Sequence, residues 1–343
     1  MELNKSIDID FLAHDELKIF QSFIKNHWSA KHIFASEESV FNWQHKNKKN
    51  YNYIIAKVNN QIIGIWGVIP LSHFDENLKL NQIFIALWRV LPGYGIAIGL
   101  QIFNEIIKKY KPDFILGLPV NPNVFKFYER QKFRIIKLRH HVFLSSSLEE
   151  FQIANVPKLL QKKNVKKYPT LLTKCLEIED FLSLDTSLIY KNQLPLKSDA
   201  YIINRYMNHP VYDYKVYSMI KKDILKALLI IRPIEIHGRV IITIVDYIGS
   251  GRLFSAVGDF IKDLIKEFNA EYVDMYSHGI LEEDILNAGF ININENDGLI
   301  VPGFFEPFVK KNIQINCCYY SSDKKTRIRV FKGDGDADRP SII

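Results

Sequence analysis

Three glycines with a spacing suited to phosphate binding lie between a strand-like run and a helix-like run of apolar residues. They are Gly93, Gly95 and Gly99 in WRVLPGYGIAIGLQIF, residues 88–103. Glycine lets the backbone approach an anion closely, and the N–H groups at the start of a following helix point toward such an anion. The spacing therefore predicts a phosphate site, and the surrounding residues must indicate whose phosphate it holds.

A dinucleotide-binding unit should open its domain with a strand and the glycine turn, and should carry an acid at the end of the next strand. Here the glycines follow several strands, and the next strand ends in LGLPVN without an acid. These departures disfavour a dinucleotide. Two interpretations remain, a loop that grips coenzyme A and a glycine turn that merely joins a strand to a helix.

A second segment, NPNVFKFYERQKFR at residues 121–134, joins the glycine turn in a resemblance to the GNAT superfamily of acyltransferases, which covers about residues 15–145. The resemblance implies that the turn and helix start meet the coenzyme A diphosphate and that Asn121 hydrogen-bonds the pantetheine arm. Pro92 departs from the superfamily pattern, which has Arg or Gln there, so one N–H and one polar contact are lost. The candidate residues for binding coenzyme A are Trp88, Val90, Gly93, Tyr94, Gly95, Ile96, Ala97, Ile98, Asn121 and Asn123.

Amine acylation needs a positioned neutral amine, a polarised carbonyl and a proton for the leaving thiolate. Tyr128 matches the superfamily tyrosine that protonates the thiolate, with a purely structural tyrosine as the alternative. No residue stands out as a general base, so loss of the amine proton to water remains an alternative. His73, His140 and His141 favour structural roles, and adjacent strand residues such as the last two face opposite sides of a sheet.

The C-terminal GDGDADRP places Asp334, Asp336 and Asp338 at alternate positions. A calcium loop would need Gly where Arg339 stands and a Glu beyond the end of the chain, so we expect no metal. Aspartates also accept sugar hydroxyls or fix an ammonium group, and Arg339 suits a phosphate or a carboxylate. The alternative is a solvated, frayed tail.

Four segments spread over the chain, HWSAKHIFASEESVFNWQH, IIGIWGVIP, IALWRV and FKGDGDADRP, resemble the tandem-GNAT sugar N-acyltransferases of bacterial surface-polysaccharide biosynthesis. The resemblance implies a 3-hydroxybutanoyl or acetyl donor on coenzyme A, a dTDP-linked 3-amino-3,6-dideoxyhexose as acceptor, and a cytoplasmic location. It favours an acceptor-binding tail. The candidate residues for binding the acceptor are Arg89, His209, Asp246, Asp334, Asp336 and Arg339.

Two other functions remain open. An aminoacyl-tRNA-dependent transferase also pairs two GNAT-like domains, although an intact coenzyme A loop argues against it. A non-catalytic coenzyme A-binding regulator is compatible with the lack of an evident base. The aromatic-polar segment RYMNHPVYDYKVY offers Tyr206, His209 and Tyr214 as base-stacking candidates, but ordinary strand patterning is the favoured interpretation.

The elements that must position these residues indicate an α/β protein of two tandem GNAT-like domains, each a mixed, mostly antiparallel sheet flanked by helices. With 343 residues, two domains of common size are expected. We predict a GNAT-like acyl-CoA domain at residues 1–145, a lysine-rich linker region at 146–195, and a second GNAT-like domain with the acceptor-binding tail at 196–343. FRIIKLRHHVFL is expected to form one strand, and INCCYYSS a late strand of the second domain.

Composition sets wider bounds. The formal charge of +7 suits polyanionic ligands without choosing among them, and we expect neither nucleic acid nor membrane insertion. Three cysteines form no metal or disulfide pattern, and the N-terminus lacks a secretory signal. The apolar run 83–103 contains Arg89 and Pro92, which predicts a buried strand, loop and helix rather than a membrane span.

Overall fold

The computed structural model describes residues 6–161, 171–191, 193–303 and 309–340. Strands and helices of the first half follow in chain order: β1 Asp8–Leu12, α1 Leu17–His27, α2 Glu38–His45, β2 Tyr51–Val58, β3 Gln61–Pro70, β4 Gln82–Val90, α3 Gly95–Tyr110, β5 Phe114–Gly117, α4 Phe125–Arg130, β6 Arg134–Lys137 and β7 Arg139–Leu144. Of the lysine-rich stretch at 158–174, residues 162–170 lie outside the described residues.

The rest of the described chain continues the alternation of strands and helices. Its elements are α5 Lys158–Gln161, β8 Leu172–Cys175, α6 Ile178–Leu182, β9 Gln193–Leu194, α7 Asp199–Ile202, β10 Lys215–Lys221, β11 Ile224–Ile236, β12 Arg239–Gly249, α8 Gly258–Glu267, β13 Ala270–His278, α9 Glu282–Asn287, β14 Ile291–Asn292, β15 Asn316–Ser321, β16 Arg327–Ile328 and β17 Val330–Phe331.

Two large sheets organise the described residues. The first has seven strands in the order β1-β2-β3-β4-β5-β15-β6. The second has eight strands, of which seven follow in the order β14-β7-β13-β12-β11-β10-β8, and the eighth, β17, pairs with β13. Each contains one parallel pair, β4 with β5 and β12 with β13, while the other pairs are antiparallel. In each sheet the parallel pair is joined by a helical crossover, α3 in the first and α8 in the second. The predicted α/β class with mixed, mostly antiparallel sheets is confirmed.

The two sheets exchange strands. β15 comes from the last part of the chain but pairs with β5 and β6 in the first sheet. Conversely, β7 joins the second sheet beside β13. The prediction of one strand over FRIIKLRHHVFL is therefore wrong, because Leu138 breaks it and bonds its N–H to the carbonyl of Ile315 at 3.0 Å. The predicted domain limits at 145 and 196 stay a prediction.

Local sequence signals fit the observed turns. The β2–β3 hairpin turns at Asn59 and Asn60, which have positive φ angles of 49° and 62°. The β11–β12 hairpin turns at His237 and Gly238 with φ of 51° and 75°. Positive φ at both central residues matches the twist of paired strands, and asparagine and glycine adopt it at low cost.

The apolar run 83–103 forms β4, the glycine turn and the start of α3, as predicted. In the described part of the chain, no helix has both the length and the apolar character needed to cross a membrane. The burial of Ile83, Ile102 and Phe103 places the apolar residues of this run in a protein core between sheet and helix.

Candidate functional site

The turn between β4 and α3 leaves a helix start open to solvent. Gly93 and Gly95 have φ angles of +92° and +64°, and a Cβ at either position would meet nothing within 4 Å. Glycine is thus required by the left-handed backbone and not by crowding. Residues 92–97 are all exposed. Tyr94 at the N-cap makes no side-chain cap, and the first turn of α3 holds no acid.

A 16-residue helix with an uncapped, exposed N-terminus presents unpaired N–H groups and a partial positive charge. These groups suit a diphosphate, and the open space beside Gly93 and Gly95 leaves room for it. The residues present therefore fit coenzyme A at this turn. Arg89, the candidate for a supplementary charge, is exposed at the end of β4, one residue before Val90.

The parallel strands β4 and β5 separate just before this turn. Their pairing runs from Gln82 with Phe114 to Ile85 with Gly117, and β4 then continues to Val90. Opposite β3, the ladder shifts register between Trp66 and Val68, which marks a bulge. No strand of the described chain pairs with residues 86–90 on the β5 side, so the backbone there has a free edge. We call this divergence the β4–β5 fork.

Trp88 and Val90, two candidate coenzyme A contacts, have their side chains in the packing under α3. The Trp88 indole stacks on Trp66 with ring centroids 4.2 Å apart. Gly99 lies directly against Trp88, since a Cβ there would be 2.4 Å from its Cζ2 atom. A ligand contact by Trp88 or Val90 would thus come from the backbone at the free edge of β4.

Tyr128 lies in the same aromatic cluster. Its ring centroid is 6.4 Å from those of both Trp66 and Trp88 and 5.3 Å from that of Phe133. Burial raises the pKa of Tyr128 well above its ordinary value, with a smaller effect from Cys318. The hydroxyl therefore keeps its proton at neutral pH and remains a proton donor.

Asn121 caps the turn that leads into α4. Its Oδ1 accepts a hydrogen bond from the Asn123 N–H at 2.9 Å, and Pro122 takes the first helical position, as predicted. Both asparagines are exposed. Capping occupies only the carbonyl oxygen of Asn121, so its two amide N–H donors are available to a ligand.

The C-terminal tail is buried. β17 pairs with β13, after which the N–H of Gly333 bonds the Val245 carbonyl at 2.8 Å and that of Asp336 bonds the Leu118 carbonyl at 3.1 Å. The tail thus crosses from the second sheet to the residue that follows β5. Gly335 has φ of +68°, and a Cβ there would lie 2.9 Å from the Leu118 oxygen. The fork and the predicted acceptor residues are thereby brought together.

Two of the tail carboxylates, Asp334 and Asp338, form buried ion pairs within the protein. Asp334 and Asp246 share Lys197 at 2.8 and 2.5 Å. Burial raises the pKa of Asp334 to about 6, against the opposing charge of Lys197. Asp338 pairs with Arg232 at 2.9 Å.

Burial alone would raise the pKa of Asp338, but Arg232 and Lys332 bring it down to about 2. These groups act first as internal ion pairs. The tail is not a frayed surface segment.

Asp336 and Arg339 lie nearest the surface of this network. Asp336 accepts a hydrogen bond from Gln44 Nε2 at 2.9 Å and pairs with Arg339. About a quarter of the Arg339 side chain is exposed, and its guanidinium lies 5.5 Å from the Phe34 ring centroid. Of the tail side chains in this network, Arg339 is the one that keeps an exposed part.

His209 lies in an aromatic cluster with Trp43 and Tyr212, at centroid distances of 4.3 and 5.3 Å. Burial lowers the pKa of His209 to about 3, so the ring is neutral. Tyr206 and Tyr214 are buried and give no free face for a base. The favoured interpretation of RYMNHPVYDYKVY as a strand is right only from Lys215 onward, where β10 begins.

The suspect histidines have protein partners. His73 contacts the Trp43 carbonyl at 2.7 Å, His140 contacts Asp274 at 2.8 Å, and His141 contacts Glu282 at 2.9 Å. Burial lowers the pKa of each. Among the described residues, no group of three or more His, Cys, Asp or Glu side chains is placed to hold a metal ion.

Sequence reasoning missed Lys197, Arg205 and Gln44, which hold the tail in place. Arg205 donates to the carbonyls of Gly333 and Gly335 at 3.4 and 3.1 Å. Their partners lie far away along the chain, so no local pattern marks them. Gln44 gave the one available signal, as one of two polar residues, with His45, on the buried face of α2.

The fold is similar to several solved structures. A GCN5-related N-acetyltransferase from Anabaena variabilis matches with a TM-score of 0.54 at 10% identity, over 92% of this chain and 72% of that chain. Saccharomyces cerevisiae N-myristoyltransferase with bound myristoyl-CoA matches with a TM-score of 0.53 at 10% identity, over 96% and 82%. A probable N-acyltransferase from Enterococcus faecalis gives 0.52 at 10% identity, over 92% and 72%.

These similarities support the prediction of two tandem GNAT-like units and, at 10% identity, concern the fold. No protein-family model matches the sequence, and no curated protein is significantly similar to it.

Proposed function

We propose that this protein transfers an acyl group from coenzyme A to a primary amine, and that the amine belongs to a nucleotide-linked amino sugar. The observation that carries the proposal is the β4–β5 fork, which opens beside the exposed start of α3 and meets the tail at Leu118. Acyl-CoA supplies a thioester when bound. The free edge of β4 and the start of α3 are the groups that would hold it.

Every step except deprotonation of the amine then has a residue of this chain. The Asn121 amide orients the donor, and the backbone at the free edge of β4 offers hydrogen bonds at the fork. Tyr128, which stays protonated, supplies the proton to the leaving thiolate. Asp336 and Arg339 hold the acceptor, and the amine loses its proton to water. Positioning of the two substrates provides much of the rate.

We further propose a division of labour along the chain. Residues 1–145 bind the donor, residues 196–343 with the tail bind the acceptor, and residues 146–195 connect them. The sugar acceptor, dTDP-linked 3-amino-3,6-dideoxyhexose, and the 3-hydroxybutanoyl or acetyl donor rest on the sequence resemblance of the segments quoted above. The similarity to a structure that binds myristoyl-CoA supports a coenzyme A thioester as donor.

A transfer assay tests the proposal. The protein is incubated with acetyl-CoA or 3-hydroxybutanoyl-CoA and a dTDP-amino sugar, and both free thiol and the mass of the sugar are measured. We expect equimolar thiol and acylated sugar, and no product from the matched sugar that carries a hydroxyl in place of the amine. Acylation of a peptide amine but not of the sugar would contradict the acceptor assignment. Absence of any acylated amine would contradict the activity.

Arg339 provides the residue-level test of the acceptor site. Arg339→Ala should raise the acceptor KM about 10- to 100-fold, the equivalent of one charge-assisted hydrogen bond, while the acyl-CoA KM stays unchanged. Arg339→Lys should restore part of the affinity, because it keeps the charge but not the planar fork. Equal effects on both substrates would point to a structural role.

A further inference from the structure

We call the seven-stranded sheet with its helices the first unit and the eight-stranded sheet with its helices the second unit. The second unit contains a cavity at the turn that corresponds to the glycine turn of the first unit. β12 ends at Gly249, and the turn continues through Ser250, Gly251 and Arg252. The cavity measures about 830 Å³, within the range of ligand pockets. Its lining includes five basic side chains and one acid, which are Lys191, Arg252, Lys325, Arg327, Arg329 and Asp284.

The basic side chains that line this cavity outnumber the acidic ones, and three of them form no close ion pair within the part of the chain that the structure describes. Among the described residues, Arg252, Lys325 and Arg327 form no ion pair. Charges of one sign gathered around a cavity repel one another and cost stability unless an anion joins them. The cavity therefore has the electrostatic character of an anion site.

Hydrogen bonds hold one nitrogen of the Arg329 guanidinium, while another nitrogen has no partner among the described residues. Its Nη1 donates to the Gly249 carbonyl at 2.5 Å and to Gln193 Oε1 at 3.1 Å. Its Nε is buried and has no hydrogen-bond partner in the described chain. Nη2 lies close to the Gly251 backbone, since a Cβ at Gly251 would be 3.0 Å from it. Arg329 lines the cavity, and its Nη2 beside Gly251 is the donor that an anion there would meet.

Asp284 adds an acceptor to the same cavity. Its Oδ2 is buried without a hydrogen-bond partner among the described residues. Burial and the neighbouring Glu283 raise the pKa of Asp284, while Arg252 opposes them. A hydroxyl group on the ligand would satisfy this oxygen.

From this geometry we propose that the cavity binds a nucleoside diphosphate. The diphosphate meets Arg252, Arg327 and Arg329, and a ribose or deoxyribose hydroxyl donates to Asp284. Two ligands share this chemistry, the nucleotide part of a nucleotide sugar and the ADP part of coenzyme A. The site does not depend on acyl transfer, because its residues are separate from the β4–β5 fork and its test is binding.

Calorimetric titration of the full chain with dTDP, coenzyme A and inorganic pyrophosphate tests the site. The variant Arg252→Ala/Arg327→Ala removes two exposed cations and leaves the hydrogen-bonded Arg329 intact. The matched control, Lys221→Ala/Lys266→Ala, removes two exposed cations of the second unit that lie outside the cavity lining. We expect the cavity variant to raise the Kd for pyrophosphate about 100-fold, and to raise the Kd for dTDP or for one equivalent of coenzyme A by a similar factor. The control should change each Kd less than 3-fold.

The ligand that is lost identifies the source. If the cavity variant loses dTDP binding and keeps coenzyme A binding, the ligand is the nucleotide sugar. If it loses one equivalent of coenzyme A, and the same loss occurs when the cavity substitutions are combined with Gly95→Asp, the ligand is coenzyme A. Unchanged Kd values for all three probes would overturn the proposal. Failure of coenzyme A binding in Gly95→Asp alone concerns the first unit, so the two outcomes are distinguishable.

Asp284→Asn gives a second, independent readout. It should weaken binding of the nucleoside diphosphate, which donates a hydroxyl, about 10-fold. Pyrophosphate binding should stay the same or become tighter, because a negative charge has been removed. Parallel changes for both probes would contradict the assigned hydroxyl contact.

Discussion

At the scale of single residues, Tyr128 shows how a motif and its surroundings combine. The motif places a tyrosine near the fork, and the structure adds the packing against Trp66 and Trp88 and the rise in its pKa on burial. A hydroxyl that keeps its proton at neutral pH has a proton to give to a thiolate, and burial makes it a weaker acid than an exposed tyrosine. A tyrosine on the surface would lack both the packing that fixes the ring and the burial that raises the pKa.

Tyr128→Phe should therefore lower kcat on the order of 100-fold and leave the Kd for acyl-CoA within about 2-fold, since only a proton donor is removed. Because the pKa of Tyr128 is raised, the loss should be constant from pH 6 to 9. Steady-state kinetics across this range and calorimetric donor binding measure both quantities.

Tyr110→Phe is the matched control. Tyr110 is a half-buried tyrosine whose pKa is also raised by burial, and its hydroxyl donates to Asn52 Oδ1 at 3.0 Å. It should keep full kcat. If Tyr128→Phe keeps full turnover at every pH, then water protonates the thiolate and Tyr128 is structural.

Residue spacing located some site features and could not locate others. The glycine turn and the Asn121 cap depend on neighbours within a few positions, so their sequence signals were sufficient. Lys197 and Gln44 act on tail residues that are remote in sequence, and no local pattern encodes such pairs. Burial of the tail followed from those long-range partners.

At the scale of elements, the contact of Gly99 with Trp88 sets how closely α3 packs on β4. Gly99→Ala would gain up to about 1 kcal/mol in helix propensity but would place a Cβ 2.4 Å from Trp88 Cζ2. Overpacking typically costs about 1–3 kcal/mol. We expect a net loss in the free energy of unfolding, measured with urea.

A double-mutant cycle with Trp88→Phe isolates this contact, because phenylalanine lacks the overlapping atom. The two substitutions together should cost at least about 1 kcal/mol less than the sum of the single costs. Additive costs would mean that α3 shifts away freely and that Gly99 does not set the distance between helix and strand.

Hairpins and the strand, turn and helix at 83–103 were predictable because their signals are local periodicity and turn residues. Sheet membership was not. FRIIKLRHHVFL reads as one continuous strand, yet its halves pair with β15 and β13 in different sheets. Apolar periodicity indicates a strand without naming its neighbour, so the exchange of β7 and β15 lay beyond the sequence.

At the scale of the whole molecule, the tail ties the two units together through buried charges. Asp338 has a pKa of about 2 in the folded protein, below the ordinary value near 3.9. A lowered pKa contributes stability that is present above about pH 4 and is lost as the pH falls toward 2. Asp334, whose pKa is raised to about 6, has the opposite effect, because its ionisation destabilises the fold as the pH rises from 4 to 6.

The substitutions Asp338→Asn and Asp334→Asn should therefore show opposite pH trends. The stability cost of Asp338→Asn should grow between pH 2 and 4 by about 2–3 kcal/mol, and that of Asp334→Asn should shrink by a similar amount between pH 4 and 6. Urea unfolding at intervals from pH 2 to 7 measures both. Parallel trends would contradict the assignment of charges in the tail.

Calorimetric titration of coenzyme A into Gly95→Asp tests the central claim, that the exposed start of α3 holds the donor. The matched control is Gly238→Asp, because Gly238 also has positive φ and open space around its Cβ position but lies in the β11–β12 turn. Both variants carry the same backbone strain and the same added charge. We expect at least a 100-fold weaker Kd for coenzyme A in Gly95→Asp and an unchanged Kd in Gly238→Asp. Wild-type affinity in Gly95→Asp would contradict it.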